Sequence, residues 1–330
     1  MKKAVFEEYG FGPDVVKIVE TKSLGNPQSG EIKVSLVASP VNPSDLLAIE
    51  GQYGLSPTPL PAGVGKEALG KVTELGANVH SIKINDYVYF NLVDSTWTEH
   101  FVLPAKRVIP LPSNIDPLQL CMSVGNPMSA YLMIKEFVEL AEGDWLIQNA
   151  ANSGVGTNVI KMAKQWGLKT VNIVRRHNLV EPLKSIGADI VIVDSDHLVE
   201  EVKAQTEGSA IKLALDAIGG GATQKLASTL ANAGIVVNYG LISGENCQVS
   251  PQLTVFNDIS LKGFWLQKWF SKAQPESISE ILDYIVQQIS NGALSVPVEA
   301  HYPLEDVVEA LAHSAKEGRE GKIVITGPAF

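Results

Sequence analysis

From Asp144 to Tyr239 the chain repeats one pattern: a short apolar run, a turn, a helix-length stretch, then the next apolar run. The runs are Asp144 to Asn149, Thr170 to Val174, Asp189 to Val193, Ala210 to Asp216 and Gly234 to Tyr239, and Val155 to Trp166 reads as the first helix between them. Strands that are apolar throughout, rather than alternating, are buried on both faces. Helices between them predict an α/β domain with a parallel sheet covered on both sides.

The rest of the chain has a different texture. Val15 to Val19, Glu31 to Ala38 and Tyr87 to Phe90 alternate or run β-branched, with Gly and Pro between them. Nine of the 18 prolines lie between Pro40 and Pro117, which predicts loops and short strands rather than helices. The change comes near Met122. From about Ser295 the chain is expected to return to extended structure, ending in Lys322 to Ile325 as a further strand of the first domain. A single core stops growing at roughly 250–300 residues, so 330 residues suit two domains. The division expected is 1–121 with 295–330 as one domain, and 122–294 as the other.

The turn after the first apolar run, Asn149 to Gly156, carries Ala151-x-Ser153-x-x-Gly156 where a dinucleotide-binding turn has three glycines. A tight strand-to-helix turn directs backbone N–H groups and the positive helix end at a pyrophosphate. About 20 residues further on, an NAD site carries an acidic residue for the ribose hydroxyl. Here the next strand ends in Val174-Arg175-Arg176-His177. A carboxylate would repel a 2′-phosphate and guanidinium groups attract it, so NADPH is the cofactor expected.

A formal charge of −10 and the lack of any basic block argue against a nucleic-acid partner. No apolar run approaches the roughly 20 residues of a membrane span. Met1-Lys2-Lys3 leads into only three apolar residues before Glu7, so no secretory signal is read, and two cysteines supply no disulfide framework. A reducing, cytoplasmic compartment is the expectation.

Several motifs resemble the medium-chain dehydrogenase/reductase superfamily and, within it, the mitochondrial-type trans-2-enoyl thioester reductases. They are Val41-Asn42-Pro43-Ser44-Asp45 followed by Gly51-Gln52-Tyr53-Gly54, then Asn126-Pro127-Met128-Ser129-Ala130-Tyr131, Asn152-Ser153-Gly154-Val155-Gly156, and Gly263-Phe264-Trp265-Leu266. The first also occurs in the related quinone reductases. The resemblance implies a GroES-like catalytic domain made from both chain ends, a Rossmann NADPH-binding domain between them, and a homodimer whose candidate edge runs from Val255 to Leu266. The substrate it implies is a small molecule, an acyl thioester or, as the alternative, a quinone. By motif position, Asn126, Asn152, Ser153, Gly154, Val155, Arg175, Arg176, His177, Tyr239, Gly240, Leu241, Ile242, Phe264, Trp265, Leu266, Gln267 and Lys322 would line the cofactor.

Zinc members of the superfamily place a Cys where this chain has Asn42 to Asp45, and Gly-His-Glu where it has Gly65-Lys66-Glu67. No metal is therefore expected. Without a Lewis acid, the substrate is one already activated by conjugation: hydride adds at Cβ, and a protein group must supply a proton to Cα. The family uses the tyrosine at the position of Tyr53 for this, while the residues alone fit a packed loop tyrosine equally. Asn42 reads either as a polar partner near the nicotinamide or as an Asx-turn residue before Pro43. Lys66 departs from the small or neutral residue usual in the subgroup. It reads either as an attractor of anionic substrate or as a surface charge beside Glu67.

Overall fold

The structure, a computed structural model, describes residues 1–54, 59–91, 95–316 and 318–330. The chain divides into two compact units, Met1–Ser123 with Ser295–Phe330 (unit 1) and Val124–Leu294 (unit 2). Unit 1 begins with β1 (Lys2–Phe6), β2 (Val16–Glu20), β3 (Glu31–Pro40), β4 (Ala62–Gly63), β5 (Glu67–Leu75), β6 (Tyr87–Asn91), β7 (His100–Pro104) and β8 (Ile109–Leu111). Unit 2 holds β9 (Trp145–Gln148), β10 (Lys169–Val174), β11 (Ile190–Val193), β12 (Ile211–Asp216), β13 (Ile235–Asn238) and β14 (Ser260–Gly263). The chain then returns to unit 1 with β15 (Val298–Pro303) and β16 (Lys322–Thr326).

Unit 2 is a single parallel sheet in the order β11-β10-β9-β12-β13-β14. This is the dinucleotide-fold order, which reverses direction between β9 and β12 and opens a crevice at the carboxyl ends of those strands. Strands β10, β11 and β12 are buried along most of their length, as their largely apolar runs require, and each fully buried Val, Leu or Ile contributes about 1.5–3 kcal/mol. β14 differs. It is the edge strand opposite β11, and all four of its residues are exposed.

In unit 1 the long β3 organises a seven-stranded sheet. β5 pairs along one side, while β7 pairs with Glu31–Ser35 and β16 with Ala38–Pro40 on the other, all antiparallel. A second sheet, β2-β1-β4, packs its apolar residues with the end of the chain: Phe6, Ile49, Trp97, Val307, Leu311, Ile323 and Ile325 share one core.

Two expectations are corrected here. The proline-rich region is not helix-free: Pro43 opens the helix Pro43–Ile49, and Pro117 opens Pro117–Leu120. Proline lacks an N–H that the first helical turn leaves unbonded anyway, and its φ is preset for that position. Nor is the tail extended throughout, since Val307–Ser314 is helical. Its buried residues, Val307, Ala310, Leu311 and Ser314, recur at the spacing of one helix face. Among the described residues no helix is long and apolar enough to cross a membrane.

Candidate functional site

At the carboxyl end of β9 the chain turns sharply through Ala150, at φ 46°, into the helix Gly154–Gln165. Ser153 caps this helix, its Oγ accepting from the Gly156 N–H at 3.1 Å. A Cβ on Gly156 would lie 2.5 Å from the Ala151 carbonyl oxygen, so this is the position of the motif where only glycine fits. The amides of Gly154 and Val155 belong to the first turn, which leaves N–H groups unbonded within the helix. Asn126, at the start of the helix Gly125–Glu136, lies against this turn: a Cβ on Gly154 would meet its Nδ2 at 2.9 Å. That Nδ2 is buried with no hydrogen-bond acceptor.

The neighbouring strand ends complete the crevice. Asp216 at the end of β12 is fully buried and receives Asn149 Nδ2 at 2.6 Å, Thr223 Oγ1 at 2.7 Å and the amides of Ile218 and Gly219. Burial alone would raise its pKa, but these bonds outweigh it and hold the carboxyl below the usual range. The loops after β12 and β13 are thereby tied together, and Gly240 sits so close to Ala217 that a Cβ would be 2.5 Å from its carbonyl oxygen. Tyr239 lies beside Ser153 with its hydroxyl enclosed, and burial raises its pKa. Leu241 and Ile242 are exposed.

Arg175, Arg176 and His177 follow β10 and are exposed, and neither guanidinium has an ion-pair partner among the described residues. Asn152 is exposed on the turn. After β14, Phe264 packs edge-on near Phe137, Trp265 is 38% exposed at the start of the helix Leu266–Phe270, and Gln267 is exposed on that helix. Open amides at a helix start, an orphaned Asn126 donor and unpaired guanidiniums suit a phosphate-bearing dinucleotide.

Unit 1 holds a separate polar cluster. Asn42 caps the helix Pro43–Ile49, and its backbone N–H donates to Asp45 Oδ2 at 2.8 Å. Its side chain bridges two charges. Lys322 Nζ donates to Asn42 Oδ1 at 2.6 Å, and Asn42 Nδ2 donates to Glu67 Oε1 at 2.7 Å. An ammonium only donates and a carboxylate only accepts, so these partners dictate the amide's orientation. Tyr89 Oη donates to the other Glu67 oxygen at 3.1 Å. Lys322 is thus no solvated surface lysine. Burial pushes its pKa down, while the Glu67 and Asp45 carboxylates push it up. Asp45 is 1% exposed, and burial raises its carboxyl pKa to about 7 against the Asn42 N–H and the Lys66 charge.

Tyr53 is half-buried in unit 1, with the Lys66 ammonium 4.3 Å from its ring centroid. Asp45, Glu67 and Tyr89 are the members of this cluster that the sequence reading does not assign. The signal was available for two of them: Asp45 stands three residues after a helix-capping Asn, and Glu67 precedes the apolar run Ala68-Leu69-Gly70.

A model of the alcohol dehydrogenase GroES-like domain matches residues 28–113, and one of the zinc-binding dehydrogenases matches residues 154–286. Together with the Rossmann order of unit 2, these make the protein a medium-chain dehydrogenase/reductase. Over 327 residues the chain is 36% identical to the human mitochondrial enoyl-acyl-carrier-protein reductase, across 96% of this chain and 87% of that protein. It belongs to the enoyl-acyl-carrier-protein reductase family. Etr1p, solved with NADP and crotonyl-CoA, is 26% identical with a TM-score of 0.88, covering 98% of this chain and 99% of its own. Etr1p is also known as a heterodimer with Etr2p from Candida tropicalis. The quinone oxidoreductase of Escherichia coli, solved with NADPH, is 25% identical with a TM-score of 0.88, covering 99% of this chain and all of its own.

One family model carries zinc in its description, and the residues here do not fit that ion. Asn42 and Glu67 are already joined to each other, and the Lys322 and Lys66 ammonium groups would confront a dication with like charge. Among the described residues no group of three or more His, Cys, Asp or Glu side chains could hold a metal.

Proposed function

We propose that the protein reduces the 2,3 double bond of trans-2-enoyl thioesters with NADPH, and that Tyr53 is the proton donor. The observation that carries this reading is the Tyr53 phenol, on the Gly51–Gly54 loop with an ammonium on its ring face, in a chain 36% identical to an enoyl reductase. Unit 2 holds the cofactor: Ser153, Gly154 and Val155 face the pyrophosphate, Asn126 the adjoining ribose or phosphate, and Arg175 and Arg176 the 2′-phosphate. Asn152, His177, Tyr239 to Ile242 and Phe264 to Gln267 line the rest of the dinucleotide. Unit 1 supplies the catalytic groups, and Lys322 and Asn42 belong with them.

NADPH supplies the hydride that reaches Cβ. The negative charge then moves through Cα to the thioester oxygen, where polar donors stabilise it. Tyr53, neutral near pH 7 by its reference pKa of about 10, breaks its O–H bond as the Cα–H bond forms. Positioned acids contribute about 10²–10⁴-fold. Tyr53→Phe is accordingly expected to lower kcat for crotonyl-CoA by about that factor while NADPH still binds. An unchanged kcat would remove Tyr53 from the mechanism. Turnover of 1,4-benzoquinone without any enoyl-CoA reduction would move the assignment to a quinone reductase, the reading that the likeness to the Escherichia coli enzyme favours.

We further infer a homodimer through β14. Of the stretch Val255 to Leu266 only Ser260–Gly263 is strand, and its exposed edge with Leu261 at 41% exposure, next to Val255 and Phe256 at 68% and 78% on the helix Pro251–Phe256, has the character of an uncovered pairing surface. Phe256→Asp with Leu261→Asp should convert the dimer to monomer by light scattering, and a wild-type monomer would reject the inference. Both cysteines are free, which suits the reducing compartment expected from the sequence.

A further inference from the structure

Lys66 departs from the subgroup's pattern, and its surroundings give it a place. Gly65 has φ +90°, and a Cβ there would collide with Thr96 and Trp97. The backbone entering β5 is therefore locked, and Lys66 projects from a fixed base. Its ammonium stands over the Tyr53 ring, 4.3 Å from the centroid. Asp45 lies nearby. The two residues line one small recess with Phe6, Ala48 and Gly63, and the buried Asp45 Oδ1 has no hydrogen-bond donor. The carboxyl feels the Lys66 charge directly.

We propose that Lys66 is a positioning residue for Tyr53, holding the ring by its face and stabilising the phenolate left when the hydroxyl gives its proton to the substrate Cα. This rests on the reading of Tyr53 as the acid. Before proton transfer the neutral ring offers the ammonium its quadrupole, a weak attraction. As the O–H bond breaks and the Cα–H bond forms, a full negative charge spreads over the oxygen and the ring beneath the same ammonium. The attraction becomes one of charge for charge, and it grows between the ground state and the transition state, which is the condition for raising kcat. The phenolate recovers its proton from water after product leaves. Attraction of an anionic substrate is the competing role for Lys66, and it would act on KM rather than on kcat.

The test is a double-mutant cycle on the full chain with NADPH and crotonyl-CoA. Lys66→Met should lower kcat about 10–100-fold, move KM for crotonyl-CoA less than about threefold, and raise the solvent isotope effect on kcat. Lys66→Arg should restore kcat to within about fivefold, because it keeps a cation on the ring. In the Tyr53→Phe background, which retains the ring but has no proton to give, Lys66→Met should change kcat less than about twofold. An equal loss in both backgrounds, or a loss confined to KM and suppressed by salt, would overturn the proposal in favour of substrate attraction. A normal kcat in Lys66→Met with a crippled Tyr53→Phe would overturn it while leaving the Tyr53 reading intact. A normal kcat in Tyr53→Phe would overturn both. Thermal melting and NADPH fluorescence check each fold, and Lys66→Gln replaces Lys66→Met if the apolar side chain does not support one.

Discussion

The two units treat polar groups in opposite ways. In the unit 1 cluster the polar side chains bond to one another, Lys322 to Asn42, Asn42 to Glu67 and Tyr89 to Glu67, with Asp45 Oδ1 the exception. In unit 2 the comparable donors are left open, with the Asn126 Nδ2 buried and unbonded and Arg175 and Arg176 without acidic partners among the described residues. A catalytic group must keep one geometry before and after the ligand arrives, so its neighbours satisfy it in advance. A recognition group needs its bonding capacity unspent until the ligand takes it. The same distinction separates Asp216, saturated with bonds because it holds loops in place, from the amides of the turn it supports.

The comparison breaks most readily at the arginines. Arg175→Ala with Arg176→Ala should remove the two charge-assisted contacts proposed to the 2′-phosphate, about 3 kcal/mol together and roughly a hundredfold in kcat/KM for NADPH. Steady-state kinetics with NADH should move less than about threefold, and an equal loss for both cofactors would place the arginines elsewhere. The opposite class of site is probed by Asn42→Ala, which strands a buried ammonium and a buried carboxylate. It should cost about 2–3 kcal/mol in urea unfolding, together with activity. Arg175→Ala should leave stability within about 0.5 kcal/mol.

Gly156→Ala should cost about 2 kcal/mol of stability, because the new methyl meets a backbone carbonyl that has nowhere to move. A melting temperature equal to wild type would show that the turn is less tightly built. The smallest effect concerns Asp45. Its folded pKa, about 7, lies above the ordinary carboxylate value of 3.8. The folded state thus binds more protons than the unfolded chain between those values, and stability falls as pH rises through that window. Wild type should lose about 1.5 kcal/mol between pH 5.5 and 7 relative to Asp45→Asn, read from urea midpoints at each pH. Parallel curves for the two proteins would show that the carboxyl titrates normally.

Most of the unit 2 fold is legible in the sequence because its five covered strands declare themselves by largely apolar runs, whereas the exposed Ser260–Gly263 strand carries no such signal. Its turn is legible for a narrower reason. Gly156 survives where a Cβ would strike the backbone, while Ala151 and Ser153 replace glycines at positions that tolerate a side chain. The unit 1 cluster is hidden by distance along the chain. Lys322 and Asn42 are 280 residues apart, and nothing local to either announces the other. The pairing of β16 with β3 is what brings them together, and with it the choice between a solvated lysine and a buried one. The helix Pro43–Ile49 is hidden by its own proline, since the residue that forbids a helix interior also favours its first turn.

The pairing of β3 with β16 also bears on how the protein is made. Residues 31–40 leave the ribosome long before residues 322–326, whereas every strand of unit 2 lies in one continuous stretch. Unit 2 can mature while synthesis continues, but the sheet around β3 must wait, holding an open edge until the last strand emerges. Limited proteolysis of stalled nascent chains should find unit 2 protected first. For this chain the interval of greatest exposure to aggregation and to chaperones is the one spent translating unit 2.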